Sequence, residues 1–115
     1  PIAANVFDYV ALEEAEAVVL PFVVVAELRA GFAHGRRPAE NERILRSFLL
    51  KDGVRVLFAD DQTTHHYAAL FRQLRKQGTP VPTNDMWIAA LVLQHNVVLY
   101  DRDRHFDHLA QIVRA

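Results

Sequence analysis

Residues 18–35, with the sequence VVLPFVVVAELRAGFAHG, decide the fold class of this chain. Val18 to Leu20 is a short, apolar, β-branched run, which predicts a buried strand. Pro21 is predicted to take the first position of a helix, where its missing N–H costs nothing. Gly35 ends that helix. The residues that we expect to face the core, because they follow helical spacing, are Val25, Leu28 and Phe32.

The same alternation of short apolar runs and longer helical patterns continues along the chain. The further helices are predicted to open at Pro38, at Asp60 or Asp61, and at Thr83 or Asn84, and to end at Gly53, Gly78 and Asn96. The further strands are predicted at Val54–Phe58, Val97–Tyr100 and Gln111–Val113, and a weak strand, Ile2–Val6, and a short helix, Leu12–Ala17, come first. Strands that alternate with helices predict an α/β domain with a central, mostly parallel sheet.

Length and composition predict a single domain, residues 1–115, because 115 residues of which 51% are hydrophobic can bury a core. The absence of cysteine excludes a disulfide framework and a zinc–thiolate site, and fits a reducing cytoplasm. No apolar run is long enough to cross a membrane. The chain begins with Pro1 rather than Met, which we interpret as a trimmed or processed start.

The net charge of −1 does not indicate a nucleic-acid binder, so contacts with phosphate need local arginines or a bound metal ion. Each small basic cluster is more commonly a solvated surface than a binding patch. The clusters are Arg36 with Arg37, then Arg72, Arg75 and Lys76, then Arg102 with Arg104. The histidine pairs His65–His66 and His105–His108 are in the same way more typical of an exposed surface than of a metal site.

Three acids stand out by their positions. Glu27 interrupts an apolar helix face, where a carboxylate is costly unless something pairs with it. Asp85 lies in the first turn of a predicted helix, and Asp103 follows a predicted strand. In a parallel α/β sheet, ligands gather at the carboxyl ends of the strands. The alternatives are a helix-dipole role for Asp85 and a loop role for Asp103. Together the three acids predict a site for Mg²⁺ or Mn²⁺, which prefer oxygen ligands and can activate water beside a phosphate.

Three segments carry a resemblance to a known family. They are VVVAELRAG at residues 23–31, PTNDMWIAA at residues 82–90 and YDRDRHFD at residues 100–107. In order and spacing they resemble the second, third and fourth acidic motifs of VapC-type PIN-domain ribonucleases. Only the three motifs together are specific.

The resemblance implies a three-layer α/β/α PIN fold and a metal-dependent endoribonuclease, the toxin of a toxin–antitoxin pair. It implies a cognate VapB-type antitoxin, an RNA substrate and a homodimer. Glu27, Asp85 and Asp103 would be the catalytic and metal-binding acids, and the antitoxin would bind near the helices of Glu27 and of residues 44–49. The residues expected to position the substrate are Asn5, Asn84, Arg102 and Arg104.

The chain departs from the family pattern at its beginning. The first motif of the family, Asp-x-Asn, would place an aspartate at position 3, where this chain has Ala3. Residues 6–20 are also too few for the loop and helix that the family has there, so we expect a shortened or incomplete N-terminal part. Asp8 is a weak substitute. Asp101, where the family often has Thr or Ser, adds a further metal ligand or caps the following turn.

Ala3 leaves two functions open. The first is a ribonuclease that has lost one acid, and the second is a catalytically inactive PIN domain that binds RNA or an antitoxin. A receiver domain or a dehalogenase-type phosphatase also places acids at strand ends, but its first strand must end in an aspartate. Asp8 does not meet that requirement convincingly.

Overall fold

The computed structural model describes residues 17–100 and 103–114. Their contacts group into two compact units, here called the N-terminal unit (described over 17–57) and the C-terminal unit (described over 58–100 and 103–114). The predicted strand Ile2–Val6 and helix Leu12–Ala17 lie outside the described residues, apart from Ala17, which is irregular. In chain order the elements are β1 (Val18–Pro21), α1 (Phe22–His34), α2 (Pro38–Leu49), β2 (Val54–Leu57), α3 (Asp61–Gln77), α4 (Thr83–His95) and a 3₁₀ helix (Arg104–His108).

The N-terminal unit is a strand–helix–helix–strand arrangement in which the two strands run parallel. Val18 lies opposite Val54 and Pro21 opposite Leu57. Parallel strands need a helical crossover between them, which α1 and α2 supply. The predicted alternation is therefore confirmed here. The side chains that form its buried core are Val18, Leu20, Val23, Val24, Val25, Leu45, Phe48 and Leu57.

The beginning of α1 lies one residue later than the sequence predicted. Pro21 is the last residue of β1 and caps the helix in an extended conformation, with φ of −57° and ψ of 140°. Proline has no backbone N–H to donate to a ladder, so it is found at the margins of a sheet, such as this strand end. Val25 is buried as expected, whereas Leu28 and Phe32 are only half-buried. The fully buried face of α1 is therefore narrower than the helical spacing of its apolar residues predicted.

The C-terminal unit is built on the packing of α3 against α4. Asp60 caps α3 by accepting a hydrogen bond from the Thr63 N–H at 3.1 Å, and the Thr63 hydroxyl accepts from the Asp60 N–H at 2.9 Å. This reciprocal pair satisfies two N–H groups that a helix start leaves open. Gly78 ends α3 with φ of 69°, a left-handed conformation that favours glycine. Both ends of α3 therefore lie where the sequence predicted them.

The cap of α3 also ties it to the far end of α4. Thr63 is fully buried, and its hydroxyl contacts the Gln94 side-chain oxygen. The Gln94 amide donates to the Asp60 carboxylate at 2.9 Å. This hydrogen bond is the main reason that the pKa of Asp60 is lowered, with help from the Thr63 N–H. One network thus fixes how the N-terminus of α3 meets the C-terminus of α4.

Helix α4 has more buried residues than any other element of the described chain. Met86, Ile88, Leu91 and Val92 are all buried, and Asn96 ends the helix in the predicted left-handed conformation, with φ of 52°. The predicted cap at Thr83 or Asn84 is wrong. Pro82 holds the cap position, and its carbonyl accepts from the Met86 N–H at 3.1 Å. Asp85 is therefore the third residue of the helix and still lies in its first turn.

Two predicted strands are absent from the described part of the chain. Val97–Tyr100 and Gln111–Val113 do not form a ladder, because their segments meet at a single parallel bridge between Leu99 and Arg114. The Leu99 N–H donates to the Val113 carbonyl at 2.8 Å. Val98 and Val113 are exposed. Their β-branched side chains predicted strands, but the two segments do not pair as a ladder. Within the described residues, no helix combines the length and apolarity that a bilayer crossing requires.

Candidate functional site

Asp85 is a buried carboxylate at the start of α4. Its side chain is 8% exposed, although an acid in a first helical turn can complement the helix dipole while remaining in water. Its Oδ2 lies 2.8 Å from Nδ1 of His105. Burial raises the pKa of Asp85, the hydrogen bond with His105 opposes that effect, and the nearby charge of Asp103 adds to it. The interaction with His105 therefore offsets part of the cost of burying this acid.

Asp103 reaches the same imidazole from the other side of a turn. It caps the 3₁₀ helix, and its Oδ1 accepts a hydrogen bond from the His105 N–H at 3.0 Å. The same oxygen lies 2.9 Å from Nδ1 of His105. The backbone hydrogen bond is the main cause that lowers the pKa of Asp103. Two acids that are far apart in the sequence thus converge on one ring nitrogen.

The tautomer of His105 follows from its two partners. Ionised carboxylates only accept hydrogen bonds, so with both acids ionised Nδ1 carries a proton that it shares between Asp85 and Asp103. The imidazole side chain is 44% exposed. Two like charges held this close disfavour each other unless a cation or a proton lies between them. Such an arrangement is typical of functional sites more than of structural ones.

The donor atoms of this cluster fit a divalent cation. One atom each from Asp85, Asp103 and His105 can be chosen so that all lie within 4.8 Å of one another. Each carboxylate also has a second oxygen besides the one that lies near Nδ1 of His105. Carboxylate oxygens suit Mg²⁺ and Mn²⁺, whereas an imidazole nitrogen suits later transition metals better.

Arg114 holds the turn that carries Asp103. Its guanidinium donates to the Asp103 carbonyl at 3.0 Å and also forms an ion pair with Asp107. Phe106, which lies between Asp103 and Asp107 in the sequence, is fully buried and anchors the 3₁₀ helix to the C-terminal unit. The turn is therefore fixed on both sides of His105. Arg114 could not be identified from the sequence, because its contacts depend on how the chain folds back after Leu109.

The predicted site residues meet with different outcomes. Asp85 and Asp103 lie together, as predicted. Glu27 is half-buried on α1 in the N-terminal unit, and its convergence with the two aspartates stays a prediction. Asn84 is exposed in the first turn of α4, and Arg104 is exposed at the start of the 3₁₀ helix. The remaining predicted residues, Asn5, Asp101 and Arg102, lie outside the described residues, as do Ala3 and Asp8.

Sequence reasoning missed His105. The sequence pattern predicts that both His105 and His108 lie on the surface. In the structure His108 is exposed, whereas His105 is half-buried. The signal was present in the spacing, since an aspartate that caps a short turn accepts from the backbone two residues later and so brings that residue close. His105 stands two residues after Asp103. Its link to Asp85 was not visible in the sequence because it depends on tertiary packing.

A comparison with protein families identifies the class of this α/β chain. Residues 6–112 match the family model described as the PIN domain. Since that match spans almost all of the sequence, the chain belongs to the PIN-domain family.

Within that family the chain is similar to the VapC ribonucleases, which confirms the predicted resemblance. It is 35% identical to Ribonuclease VapC1 of Haemophilus influenzae (strain R2866) over 82 residues, which are 71% of this chain and 60% of that protein. It is 34% identical to Plasmid stability protein StbB of Pseudomonas syringae pv. tomato over 104 residues, which are 87% of this chain and 75% of that protein. The chain thus spans about 60% of the length of the Haemophilus relative.

Solved structures confirm the predicted α/β PIN fold. The chain superposes on VapBC-1 from nontypeable Haemophilus influenzae with a TM-score of 0.80 and 25% identity, over 93% of this chain and 81% of that one. It superposes on the DNA-bound VapBC of Salmonella typhimurium with a TM-score of 0.82 and 21% identity, over 97% of this chain and 86% of that one. The second likeness shows the fold alone.

Proposed function

We propose that this chain is a metal-dependent endoribonuclease, the VapC-type toxin of a type II toxin–antitoxin pair. The observation that carries the proposal is the convergence of Asp85 and Asp103 on Nδ1 of His105, at 2.8 and 2.9 Å. Hydrolysis of a phosphodiester needs charge neutralised at the phosphate, and a chain with a net charge of −1 supplies little of that itself. The similarity to relatives that are named ribonucleases supports RNA as the substrate.

The metal that we propose is Mg²⁺ or Mn²⁺, held by Asp85 and Asp103. Glu27 and Asp101 would add the further acids that the family resemblance predicts. When bound, such an ion lowers the pKa of a water and stabilises charge on a phosphate oxygen. Metal binding requires ionised carboxylates, a state that the turn already favours at Asp103 by lowering its pKa.

The other residues of the turn would orient the acids and the substrate. His105 holds both carboxylates in place through one nitrogen. Partners of this kind fix the direction of metal-binding side chains. Asn84 and Arg104 are exposed next to Asp85 and Asp103 in the sequence, where they would contact the phosphate backbone, with Arg102 and Asn5 in the same role. Contacts of this type position RNA without reading its sequence.

A second candidate function is a PIN domain that binds RNA or an antitoxin without cutting. The observation that favours it is Ala3, which stands where the family resemblance predicts an aspartate. A site that has lost one carboxylate should bind a divalent ion more weakly, because fewer charges hold the ion. The two candidates therefore differ in whether this sequence retains enough acids for cleavage.

The test is an RNA cleavage assay with added Mn²⁺. We expect slow cleavage by the chain as given, faster cleavage by the Ala3→Asp variant, and none with a chelator. The Asp85→Asn variant should be inactive in both backgrounds. Cleavage that ignores the chelator and Asp85→Asn would contradict the metal mechanism. Tight RNA binding without cleavage, even by Ala3→Asp, would favour the binding module.

The partners and the location are proposed on the same resemblance. We propose that a VapB-type antitoxin covers the site, because the chain shares its fold with VapBC structures. We propose a homodimer, which size-exclusion chromatography with light scattering would test. A chain without cysteine that cuts RNA fits the cytoplasm. Co-purification with the protein encoded beside it would test the antitoxin.

A further inference from the structure

The second half of α3 and the segment after it carry positive charge and no acid. Residues 70–82 contain Arg72, Arg75 and Lys76, and neither aspartate nor glutamate. All three cations are exposed, and none forms an ion pair with any acid of the described chain. Arg72 and Lys76 are four residues apart and so share one side of the helix, next to Arg75. This surface is complementary to a polyanion.

A cavity of about 410 Å³ opens beside Arg75, between the end of α3 and the start of α4. Phe71, Leu74 and Arg75 line it from one face of α3, Pro80 and Val81 from the connecting segment, and Met86 from α4. Its volume lies within the range of small-ligand sites, about 300–1,000 Å³. Phe71 is 49% exposed, although it is a large aromatic side chain on a helix with an otherwise buried apolar face. The cavity therefore offers an open aromatic wall with a cation at its edge.

The cavity lies at the same end of α4 as the acids. Met86, which forms one wall, directly follows Asp85 in the first turn of the helix. Both features belong to the C-terminal unit. The cavity and Asp85 therefore share the first turn of α4.

We propose that this cavity binds an unpaired nucleobase of single-stranded RNA next to the phosphate that is cleaved. The base stacks on Phe71, and Arg75 contacts the adjoining phosphate. Aromatic side chains beside a positively charged groove are the usual means of binding single strands without strict sequence preference. The proposal rests on the proposed function, since it names where the substrate of that site is held.

A second copy of the chain is the competing occupant of this surface. A two-fold interface would bring the same patch of both copies together. The three cations of each copy would then lie in one interface with no acid from residues 70–82 to pair with them, and like charges brought together disfavour association. RNA is favoured by the same charges, because its phosphates attract all three cations.

The experiment measures RNA binding apart from cleavage. A labelled, unstructured RNA of about 12 nucleotides is titrated with the protein in chelator, and fluorescence anisotropy gives Kd. We expect Phe71→Leu, which keeps an apolar wall but removes the stacking face, to raise Kd about tenfold. Phe71→Trp should bind as well as the parent protein. The matched control is Phe58→Leu, at an aromatic residue that is 70% exposed but does not line the cavity, and it should leave Kd unchanged.

The contribution of charge is measured by the dependence of Kd on salt. Arg75→Gln should reduce the slope of log K against log salt by about 1, as expected for one lost phosphate contact. The control, Arg55→Gln, removes the same charge from an exposed position on β2 and should leave the slope unchanged. Inorganic polyphosphate, which has charge but no bases, should bind Phe71→Leu and the parent protein equally.

The outcomes separate this inference from the proposed function. The inference is overturned if the RNA binds Phe71→Leu as tightly as it binds the parent protein. It is also overturned if the RNA does not bind the parent protein, even where cleavage is observed. Conversely, binding that depends on Phe71 upholds the inference even where no variant cleaves RNA. A change of oligomeric state in Phe71→Leu, seen by light scattering with unchanged RNA binding, assigns the cavity to a second copy and also overturns it. Circular dichroism melting confirms that each variant is folded.

Discussion

In the N-terminal unit, Arg29 donates to both carboxylate oxygens of Glu42, at 2.8 and 3.2 Å, and Arg46 lies 3.4 Å from the same side chain. In the C-terminal unit, Asp85 and Asp103 converge on a single imidazole nitrogen, at 2.8 and 2.9 Å. The first arrangement matches opposite charges at the surface, which contributes little to stability. The second holds like charges together, which costs energy and is typical of a site that binds a cation.

The largest effect that we expect comes from removing one acid of the second arrangement. In the Ala3→Asp background, Asp103→Asn should lower kcat/KM for RNA cleavage by more than about a hundredfold. Loss of a metal ligand should cost more than the roughly 10- to 100-fold that is typical for loss of a residue that only orients a ligand. Glu42→Gln makes the same chemical change in the N-terminal unit and should leave cleavage unaltered. An equal loss of kcat/KM in Asp103→Asn and Glu42→Gln would contradict a special role of the C-terminal unit in cleavage.

The next effect concerns the imidazole that joins the acids. His105→Gln should weaken Mn²⁺ binding, measured by calorimetry, by about 10- to 100-fold, because neither aspartate is then held in direction by a ring nitrogen. The control is His108→Gln, which makes the same change at an exposed residue of the same 3₁₀ helix. We expect no change there. A His105 variant that binds Mn²⁺ as tightly as the control would show that the ring has no role in positioning the acids.

A smaller effect is expected at the polar network that supports the C-terminal unit. Thr63→Val should lower the free energy of unfolding by about 1–3 kcal/mol, because it leaves partners of a fully buried hydroxyl without a hydrogen bond. Thr64→Val, at an exposed neighbour, should change it by less than about 0.5 kcal/mol. Urea denaturation of both variants measures the difference. Indistinguishable midpoints would mean that the network does not hold α3 to α4.

The smallest effect belongs to the ion pairs of the N-terminal unit. The hydrogen bond from Arg29 is the main cause that lowers the pKa of Glu42 below its ordinary value of 4.5. A lowered folded-state pKa contributes stability above pH 4.5 that is lost as the pH falls through the folded-state value. The small advantage of the parent protein over Glu42→Gln should therefore shrink as the pH falls below 4.5, and 1 M salt should remove it at pH 7. An advantage that grows in acid would contradict this sign.

The sequence was sufficient for features that depend on neighbouring residues. Gly78 and Asn96 end their helices in the predicted left-handed conformation, and Asp60 caps α3 as one of the two acids proposed for that position. Each of these follows from local backbone chemistry. The family was also predictable, because three short motifs in a fixed order are specific even where each one alone is not.

Features that depend on partners distant in the chain were less predictable. Val97–Tyr100 had the composition of a strand, but only Leu99 pairs, so strand propensity was overridden by the packing around it. His105 was assigned to the surface because its link to Asp85, at the start of α4, spans 20 positions. The burial of Asp85, which raises its pKa, could not be read from a first-turn position that usually faces water.

A double-mutant cycle on metal affinity tests most directly whether Asp85 and Asp103 form one cation site. Calorimetry with Mn²⁺ would be carried out on the parent protein, on Asp85→Asn, on Asp103→Asn and on the double variant. Ligands of one ion are coupled, so each single variant should lose most of the affinity and the double variant little more. Losses that simply add, or single variants that bind Mn²⁺ like the parent protein, would contradict a shared site.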